Sequence, residues 1–388
     1  SSAKVTKGAI YGGSNGVVNS NDTTTVYING STNVNIGSIN ANIYGGGYNC
    51  GVSGQTNVSI GGTVNGEIYG GGYQSYVGTT TNITITGNPR KNIYGGGEST
   101  AIATAGVGKK NESSWVAGTI NINFNSGTFS VKGNTVYKIY GGNKNIKLAN
   151  DETLKENINI TIGVLGSASK PSIYGEIYGG GVYDEINTAH ITAIVNNIEN
   201  DRGVTYGKLI IYGGSDMDNE CEQSNIEIKG AVVDTIYGGE KVNGTIKNTN
   251  ITFTSGTANN IYGGGNENSN VTKTTVKVTG GSVGNVYGAG LNGNANETNI
   301  TISGAVVTDV YGGENNTNNS ELITPKTNIT MTSGNVTNIL GAGLNSGATQ
   351  TNVKVSSGYV TNIYGGVNTS GPVENSNINV TGGTVTNV

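Results

Sequence analysis

The chain has 388 residues, of which 66 are glycine, 34% are hydrophobic and 12% are charged. With only 3 Phe, 1 Trp and 2 Met, it lacks the bulky apolar side chains that a conventional globular core of this length needs. A net charge of -4 excludes the basic surface typical of proteins that bind nucleic acid or anionic lipid. No stretch has the length of a transmembrane helix, and no secretory signal opens the sequence.

One six-residue signature recurs along the whole chain. It reads NIYGGG at 42–47, 92–97 and 260–265, EIYGGG at 67–72 and 176–181, TIYGGE at 235–240 and NVYGAG at 285–290. The signature tyrosines are Tyr11, Tyr44, Tyr69, Tyr94, Tyr140, Tyr178, Tyr212, Tyr237, Tyr262, Tyr287, Tyr311 and Tyr364, and Leu340 takes the same place in NILGAG. Most successive spacings are 24 or 25 residues, and the longer gaps contain insertions. A fixed period indicates a repeat architecture rather than disorder.

A second block lies between the signatures and predicts a strand. It reads TNITITG at 81–87, TNITFTSG at 249–256, TNITISG at 298–304, TNITMTSG at 327–334, TNVKVSSG at 351–358 and SNINVTGG at 376–383. Apolar and polar residues alternate with period two, which places Ile83 and Ile85 on one face and Thr84 and Thr86 on the other. A third apolar residue, such as Val283, follows before the chain bends into the next signature.

A strand-rich unit of this size buries its apolar face only when it stacks on copies of itself. The sequence therefore predicts an all-β fold, a right-handed parallel β-helix (β-solenoid) with about 13 coils of a 25-residue repeat. With coils about 4.8 Å apart, the rod would be roughly 60 Å long. We expect one domain over residues 1–388, with loop insertions concentrated at 98–210.

The repeat also predicts side-chain ladders along the stack. The position before the signature Ile holds Asn, Glu67, Lys138, Glu176 or Asp309, so we expect it to face water. We expect the signature glycines to adopt corner conformations forbidden to other residues and to let coils stack closely. The signature tyrosines form either a buried stack, which Leu340 as a substitute favours, or an exposed ladder that could bind sugars. The predicted ladder residues are Tyr44, Tyr69, Tyr94, Tyr237 and Tyr262, with Asn82, Asn250, Asn299 and Asn328 in an amide ladder that His190 joins.

Catalysis is not expected from the carboxylates. Glu240 and Glu314 share the position after YGG, but three coils would separate them by about 14 Å, farther than the pair of a glycosidase. We expect both to be solvated. The sequence predicts no cofactor and no transition-metal site, because His and Cys do not cluster. Cys50 and Cys221 lie too many coils apart to form a disulfide bond.

Two segments could carry an individual function. In SDMDNECE (215–222), Asp216, Asp218 and Glu220 could bind Ca²⁺, although a solvated acidic loop is the simpler interpretation. The insertion at 98–118 contains Lys109, Lys110 and Trp115, which form either a partner or glycan contact or a cover for the coil edge. The sequence leaves these alternatives open.

The repeat units resemble the Gly/Asn/Thr-rich repeats of large bacterial cell-surface β-solenoid proteins, which include adhesins, autotransporter-like passengers and fibrous surface proteins. The resemblance implies extracellular display on a bacterial surface, and it carries over no functional residue. We therefore expect a structural, non-catalytic filament subunit or stalk that associates with itself, head to tail or laterally, or with neighbouring surface proteins. Neither terminus shows a cap, which suggests either a segment of a longer array or head-to-tail stacking. The alternative is a carbohydrate- or host-binding adhesin, and a remote one is a β-helix enzyme that degrades polysaccharides.

Overall fold

The computed structural model describes residues 8–15, 27–105, 116–129, 135–148, 156–183, 186–195, 208–317, 322–367 and 371–388. Within these ranges the protein is all-β, with no helix, and its strands pair in parallel. No helix that could cross a membrane occurs in this described part of the chain. The chain divides into two compact units, Ser1–Lys208 and Leu209–Val388, which we call unit 1 and unit 2 and describe separately.

Both units are built from short strands joined by glycine- and asparagine-rich corners. The strands of unit 1 are β1 (Ala9–Tyr11), β2 (Tyr27–Ile28), β3 (Thr32–Ile36), β4 (Asn42–Tyr44), β5 (Gly51–Val52), β6 (Thr56–Ile60), β7 (Thr63–Val64), β8 (Ile68–Tyr69), β9 (Thr81–Ile85), β10 (Asn88–Pro89), β11 (Ile93–Tyr94), β12 (Glu98–Ala105), β13 (Thr119–Phe124), β14 (Thr128–Phe129), β15 (Lys138–Tyr140), β16 (Lys144–Leu148), β17 (Glu156–Ile162), β18 (Ser172–Ile173), β19 (Gly175–Tyr178) and β20 (Ile186–Ala193). Those of unit 2 are β21 (Leu209–Tyr212), β22 (Glu220–Tyr237), β23 (Thr245–Tyr262), β24 (Asn270–Val278), β25 (Ser282–Tyr287), β26 (Ala295–Tyr311), β27 (Ile323–Leu340), β28 (Gly347–Val355), β29 (Tyr359–Tyr364), β30 (Val373–Val380) and β31 (Thr384–Asn387).

Each strand lies beside its counterpart from the neighbouring repeat. In unit 1, β9 pairs with β6 so that Asn82 lies opposite Asn57. In unit 2, β22 pairs with β23 so that Ile236 lies opposite Ile261. Equivalent positions of successive repeats therefore stack on one another, in a ladder of parallel strands that is compatible with a β-solenoid.

The core follows the predicted alternation. In β9, Ile83 and Ile85 are fully buried, whereas Thr84 between them is partly exposed. The third apolar residue Val283 is also internal, at 2% exposed. In the next repeat Val307 lies opposite Val283 and is buried, whereas Val306 is 53% exposed. The predicted inward face of the strand block is thus confirmed for Ile83, Ile85 and Val283.

The role expected for the signature glycines is only half right. Gly45 does not have a positive φ, so it needs no left-handed conformation. A Cβ atom on Gly45 would instead lie 2.2 Å from the carbonyl oxygen of Gly70 in the next repeat, far inside contact distance. Positive φ values occur elsewhere, for example at Asn243 (53°) and Gly256 (106°). The signature glycine is required by close stacking, not by its own backbone angles.

Candidate functional site

The signature tyrosines form a ring stack in each unit, from Tyr11 to Tyr178 in unit 1 and from Tyr212 to Tyr311 in unit 2. Leu340 follows Tyr311 in the register, and Tyr364 after it is 46% exposed. In unit 1, the ring centroids of Tyr44 and Tyr69 are 4.5 Å apart with planes 2° from parallel, and Tyr69 and Tyr94 are 4.9 Å apart. In unit 2, the centroids of Tyr237 and Tyr262 are 4.9 Å apart. The spacing matches the separation of paired strands, and it allows offset stacking of the rings.

These rings are buried. The exposed fractions range from 0% for Tyr69 to 7% for Tyr237, with Tyr44, Tyr94 and Tyr262 between them. This is the buried one of the two arrangements that the sequence left open. The stacked faces are therefore inaccessible to a sugar.

Several tyrosine hydroxyls form hydrogen bonds with polar side chains beside the stack. Tyr69 donates its hydroxyl proton to Glu67, two residues earlier, over 2.6 Å, and Tyr178 donates likewise to Glu176. In unit 2, the amide of Asn315 donates to the Tyr262 hydroxyl oxygen over 3.2 Å. The side chains of Glu67 and Glu176 are only 21% and 15% exposed. The expectation that this position simply faces water was therefore wrong, because the carboxylates turn back to the tyrosines.

A charged cluster lies on the tyrosine stack of unit 1. Lys144 Nζ is 3.0 Å from Glu67 Oε2, 2.9 Å from Glu98 Oε1 and 2.9 Å from the Tyr69 hydroxyl oxygen. Glu98 also accepts a hydrogen bond from the Tyr44 hydroxyl. Because one nitrogen contacts both carboxylates, their contacting oxygens are at most about 6 Å apart.

The lysine and the tyrosine of this cluster both have raised pKa values. Its two carboxylates raise the pKa of Lys144, and these interactions outweigh the lowering by burial. Burial raises the pKa of Tyr69, and the adjacent charge of Glu67 raises it further. Lys144 thus stays cationic and Tyr69 neutral near pH 7, so neither supplies a general base.

The predicted asparagine ladder connects successive repeats by amide hydrogen bonds. The amide of Asn82 donates to Asn57 Oδ1 over 2.9 Å, and that of Asn328 donates to Asn299 Oδ1 over 3.1 Å. The remaining bonds of this type join Asn57 to Asn33, Asn121 to Asn82, Asn159 to Asn121, Asn250 to Asn225 and Asn352 to Asn328. His190 lies opposite Asn159, in the ladder position predicted for it.

Sequence reasoning missed a ladder of buried hydroxyls. In most repeats the residue before the ladder position is Thr or Ser, and its hydroxyl donates to the carbonyl oxygen of the first signature glycine. The exceptions in the ladder above are Asn121 and Asn159, which follow Ile120 and Ile158. The pairs are Thr32 and Gly45, Thr56 and Gly70, Thr81 and Gly95, Ser224 and Gly238, Thr249 and Gly263, Thr274 and Gly288, Thr298 and Gly312, Thr327 and Gly341, and Thr351 and Gly365. The recurrent TN and SN pairs, with a hydroxyl on the same face as the buried Ile, were the available signal.

The predicted calcium ligands differ in burial. Asp216 is 6% exposed and lies 3.4 Å from Lys241 Nζ, whereas Asp218 and Glu220 are exposed. Among the residues that the structure describes, no three His, Cys, Asp or Glu side chains group to hold a metal ion. Calcium binding by Asp216, Asp218 and Glu220 stays a prediction, which calorimetric titration of the chain with Ca²⁺ would test.

The expectation that Glu240 and Glu314 are solvated was wrong. Both side chains are 0% exposed, and the Oε1 atom of each has no hydrogen-bond partner. The backbone N–H of Ser215 donates to Glu240 Oε2, and the hydroxyl of Thr324 donates to Glu314 Oε2. Burial raises the pKa of both carboxyls. Asp216 and Asp218 further raise the pKa of Glu240.

The remaining candidate residues have simpler outcomes. Cys50 and Cys221 are both buried, and they do not form the disulfide bond that the sequence argued against. Lys109, Lys110 and Trp115 lie outside the described residues, so their proposed contact with a partner or glycan stays a prediction.

Comparisons of this chain with protein-family models, curated proteins and solved structures give no match. The class that its fold defines is an all-β protein of stacked parallel strands, whose equivalent side chains form ladders.

Proposed function

We propose that the chain is a structural, non-catalytic β-solenoid that serves as a stalk or filament subunit on a bacterial cell surface. In this proposal each repeat forms one coil, and about 13 coils wind in a right-handed sense over the chain. The observation that carries the proposal is the register: Ile93 lies opposite Ile68, and Ile68 lies opposite Ile43. A stack that pairs each position with its own equivalent lengthens by one strand spacing for every repeat added.

The hydrogen bonds support this role because many of them join one repeat to the next. The backbone N–H of Gly70 donates to Tyr94 O over 2.9 Å, and the amide of Asn82 donates to Asn57. The tyrosine rings stack in the same direction. Repetition of these contacts holds an extended stack together without a large globular core.

Duplication of a repeat tests the architecture. Four extra copies of residues 263–287, inserted after Tyr287, should lengthen the particle by about 19 Å at one strand spacing per copy. Small-angle scattering and electron microscopy would measure the length. The control places an equally long Gly/Ser segment after Leu165, which is 73% exposed, and should add no rigid length. An unchanged length in the repeat-duplicated chain would contradict the proposal.

Self-association distinguishes a filament subunit from a stalk. Negative-stain microscopy over a concentration series should show fibres that lengthen with concentration if the chain assembles head to tail. Isolated particles at every concentration would favour a stalk. The bacterial surface location rests on the resemblance of the repeats, and labelling of intact cells of the source organism with an antibody against the chain would test it.

The adhesin alternative stays a hypothesis. Burial of Tyr44, Tyr69 and Tyr94 removes the exposed aromatic ladder as its basis. The version that uses the insertions predicts glycan-array binding that is lost in Trp115→Ala.

A further inference from the structure

Glu314 is a buried carboxyl group with incomplete hydrogen bonding. It follows Tyr311, Gly312 and Gly313 at the end of a signature, and its side chain is 0% exposed. Its Oε2 atom accepts from the Thr324 hydroxyl, and its Oε1 atom has no partner. Among the described residues, no Lys, Arg or His forms an ion pair with it.

Glu240 occupies the same position in the repeat of Tyr237, whereas several other repeats place neutral residues there. Asn143, the third residue after Tyr140, is also 0% exposed, and its Oδ1 atom accepts from the Gly97 N–H over 2.8 Å. Glycine occupies the position in the repeats of Tyr69 and Tyr262, as Gly72 and Gly265. Besides these two carboxyl groups, the position therefore accepts a buried amide or no side chain at all.

We propose that Glu314 is a neutral carboxylic acid in the folded chain, and that the turn it belongs to loosens as the pH rises and this proton is lost. A buried charge without an ionic partner is costly, and the usual response of such a group is to bind a proton. A protonated carboxyl resembles a primary amide in that it is uncharged and carries a hydrogen-bond donor on one atom and an acceptor on the other.

The surroundings of Glu314 raise its pKa, which supports the proposal. Burial raises the pKa of Glu314, while the hydroxyls of Thr324 and Ser346 and its own backbone oppose the rise only in part. Between the unfolded pKa of about 4.3 and the raised folded pKa, the folded chain binds more protons than the unfolded chain. The free energy of unfolding therefore falls as pH increases through this window, and it levels off above the folded pKa.

The turn connects directly to the next repeat. Leu344 N–H donates to Glu314 O over 2.8 Å, and Asn316 N–H donates to Leu344 O over 2.9 Å. Ionisation of Glu314 would thus weaken the contact between two neighbouring repeats in unit 2.

Hydrogen exchange of the full chain at pH 4.5 and pH 8 tests the proposal. In Glu314→Gln, the Leu344 amide should exchange more slowly than in the wild type at pH 8, and at a similar rate at pH 4.5, because only the wild-type side chain ionises between these pH values. The control, Glu374→Gln, alters an exposed glutamate of the same unit and should change neither rate. Equal exchange in Glu314→Gln and the wild type at both pH values would overturn the proposal.

An internal comparison keeps the test independent of the variant. Leu291 N–H makes the equivalent bond to Gly265 O over 3.0 Å, with glycine in place of Glu314. In the wild type, protection at Leu344 relative to Leu291 should fall from pH 4.5 to pH 8, because Glu314 ionises in this interval. A constant ratio would contradict the proposal.

Discussion

Thr274 donates a hydrogen bond from its hydroxyl to the carbonyl oxygen of Gly288, 14 residues further along the chain, over 2.6 Å. Thr274 is 0% exposed. Gly288 uses its N–H for a bond to Tyr311 O in the next repeat. The hydroxyl therefore ties the strand to the following corner, at a residue that also connects two repeats.

Thr274→Val should destabilise unit 2 by about 1–3 kcal/mol, because the similar-sized Val leaves the Gly288 carbonyl without its hydroxyl donor in a buried place. Hydrogen exchange at the Gly288 amide would measure the loss. Thr272→Val is the matched control, since Thr272 is exposed on the same strand and should tolerate the change within about 0.5 kcal/mol. Equal effects of the two substitutions would contradict the role of the buried hydroxyl.

Gly45→Ala should destabilise unit 1 by several kcal/mol. The new Cβ atom would lie 2.2 Å from Gly70 O and 2.9 Å from Val58 Cγ2, so the backbones of two repeats would have to separate. Gly37→Ala is the control, because a Cβ atom there meets no atom within 4 Å and its φ is not positive. Thermal denaturation of both variants would show the difference. A melting temperature of Gly45→Ala close to that of Gly37→Ala would mean that neighbouring repeats can separate at little energetic cost.

The sequence predicted the parts of the fold that depend on local alternation. Ile83 and Ile85 face inward because β-strands alternate, and Asn82 meets Asn57 because repeats of equal length stack in register. Neither prediction depends on the path that the backbone takes through the turns.

The failures concern side chains whose partner lies around a corner. Thr81 was predicted as part of a strand, but its bond to Gly95 O depends on the path of the chain between them. Glu240 was expected in solvent because it is charged, yet the turn folds inward and buries it beside Ser215. Alternation describes strands, and it gives no direction for residues in a turn.

Lys144→Met should destabilise unit 1 by roughly 1–3 kcal/mol, between the values for exposed and buried ion pairs. It removes the cation between Glu67 and Glu98, which are 21% and 16% exposed and would then repel each other. Hydrogen exchange over residues 67–98 is the measurement. Lys247→Met is the control, because it breaks an exposed ion pair with Glu222. It should lower the free energy of unfolding by about 1 kcal/mol or less, as is usual for surface ion pairs.

A second substitution separates lost attraction from new repulsion. Glu67→Gln combined with Lys144→Met removes one of the two facing carboxylates and should recover part of the stability. No recovery would show that the packing of the lysine stem, rather than its charge, stabilises this region.

Glu240→Gln should raise the stability of unit 2 at pH 8 and leave it nearly unchanged at pH 4.5. Burial raises the pKa of Glu240, and Asp216 and Asp218 add to the shift, so ionisation opposes folding as pH rises. Thermal melting at the two pH values would measure this, with Glu220→Gln as the exposed control. A lower melting temperature of Glu240→Gln at pH 8 would instead indicate that the ionised carboxylate stabilises the turn.

The tyrosine stack should limit the stability of the protein in alkali. Burial raises the pKa of Tyr94 to about 12, and burial also raises the pKa of Tyr69 and Tyr237. Because an unfolded tyrosine has a pKa of about 10, the folded chain holds these protons more tightly, and stability falls as pH rises from about 10 through 12. Tyrosinate absorbance and far-ultraviolet circular dichroism, recorded in one alkaline titration, should therefore show the stacked tyrosines ionising as the β-signal disappears. The urea-unfolded chain is the reference for free tyrosine. Ionisation of all tyrosines near pH 10 with an intact β-signal would mean that the hydroxyls of the stack are open to solvent.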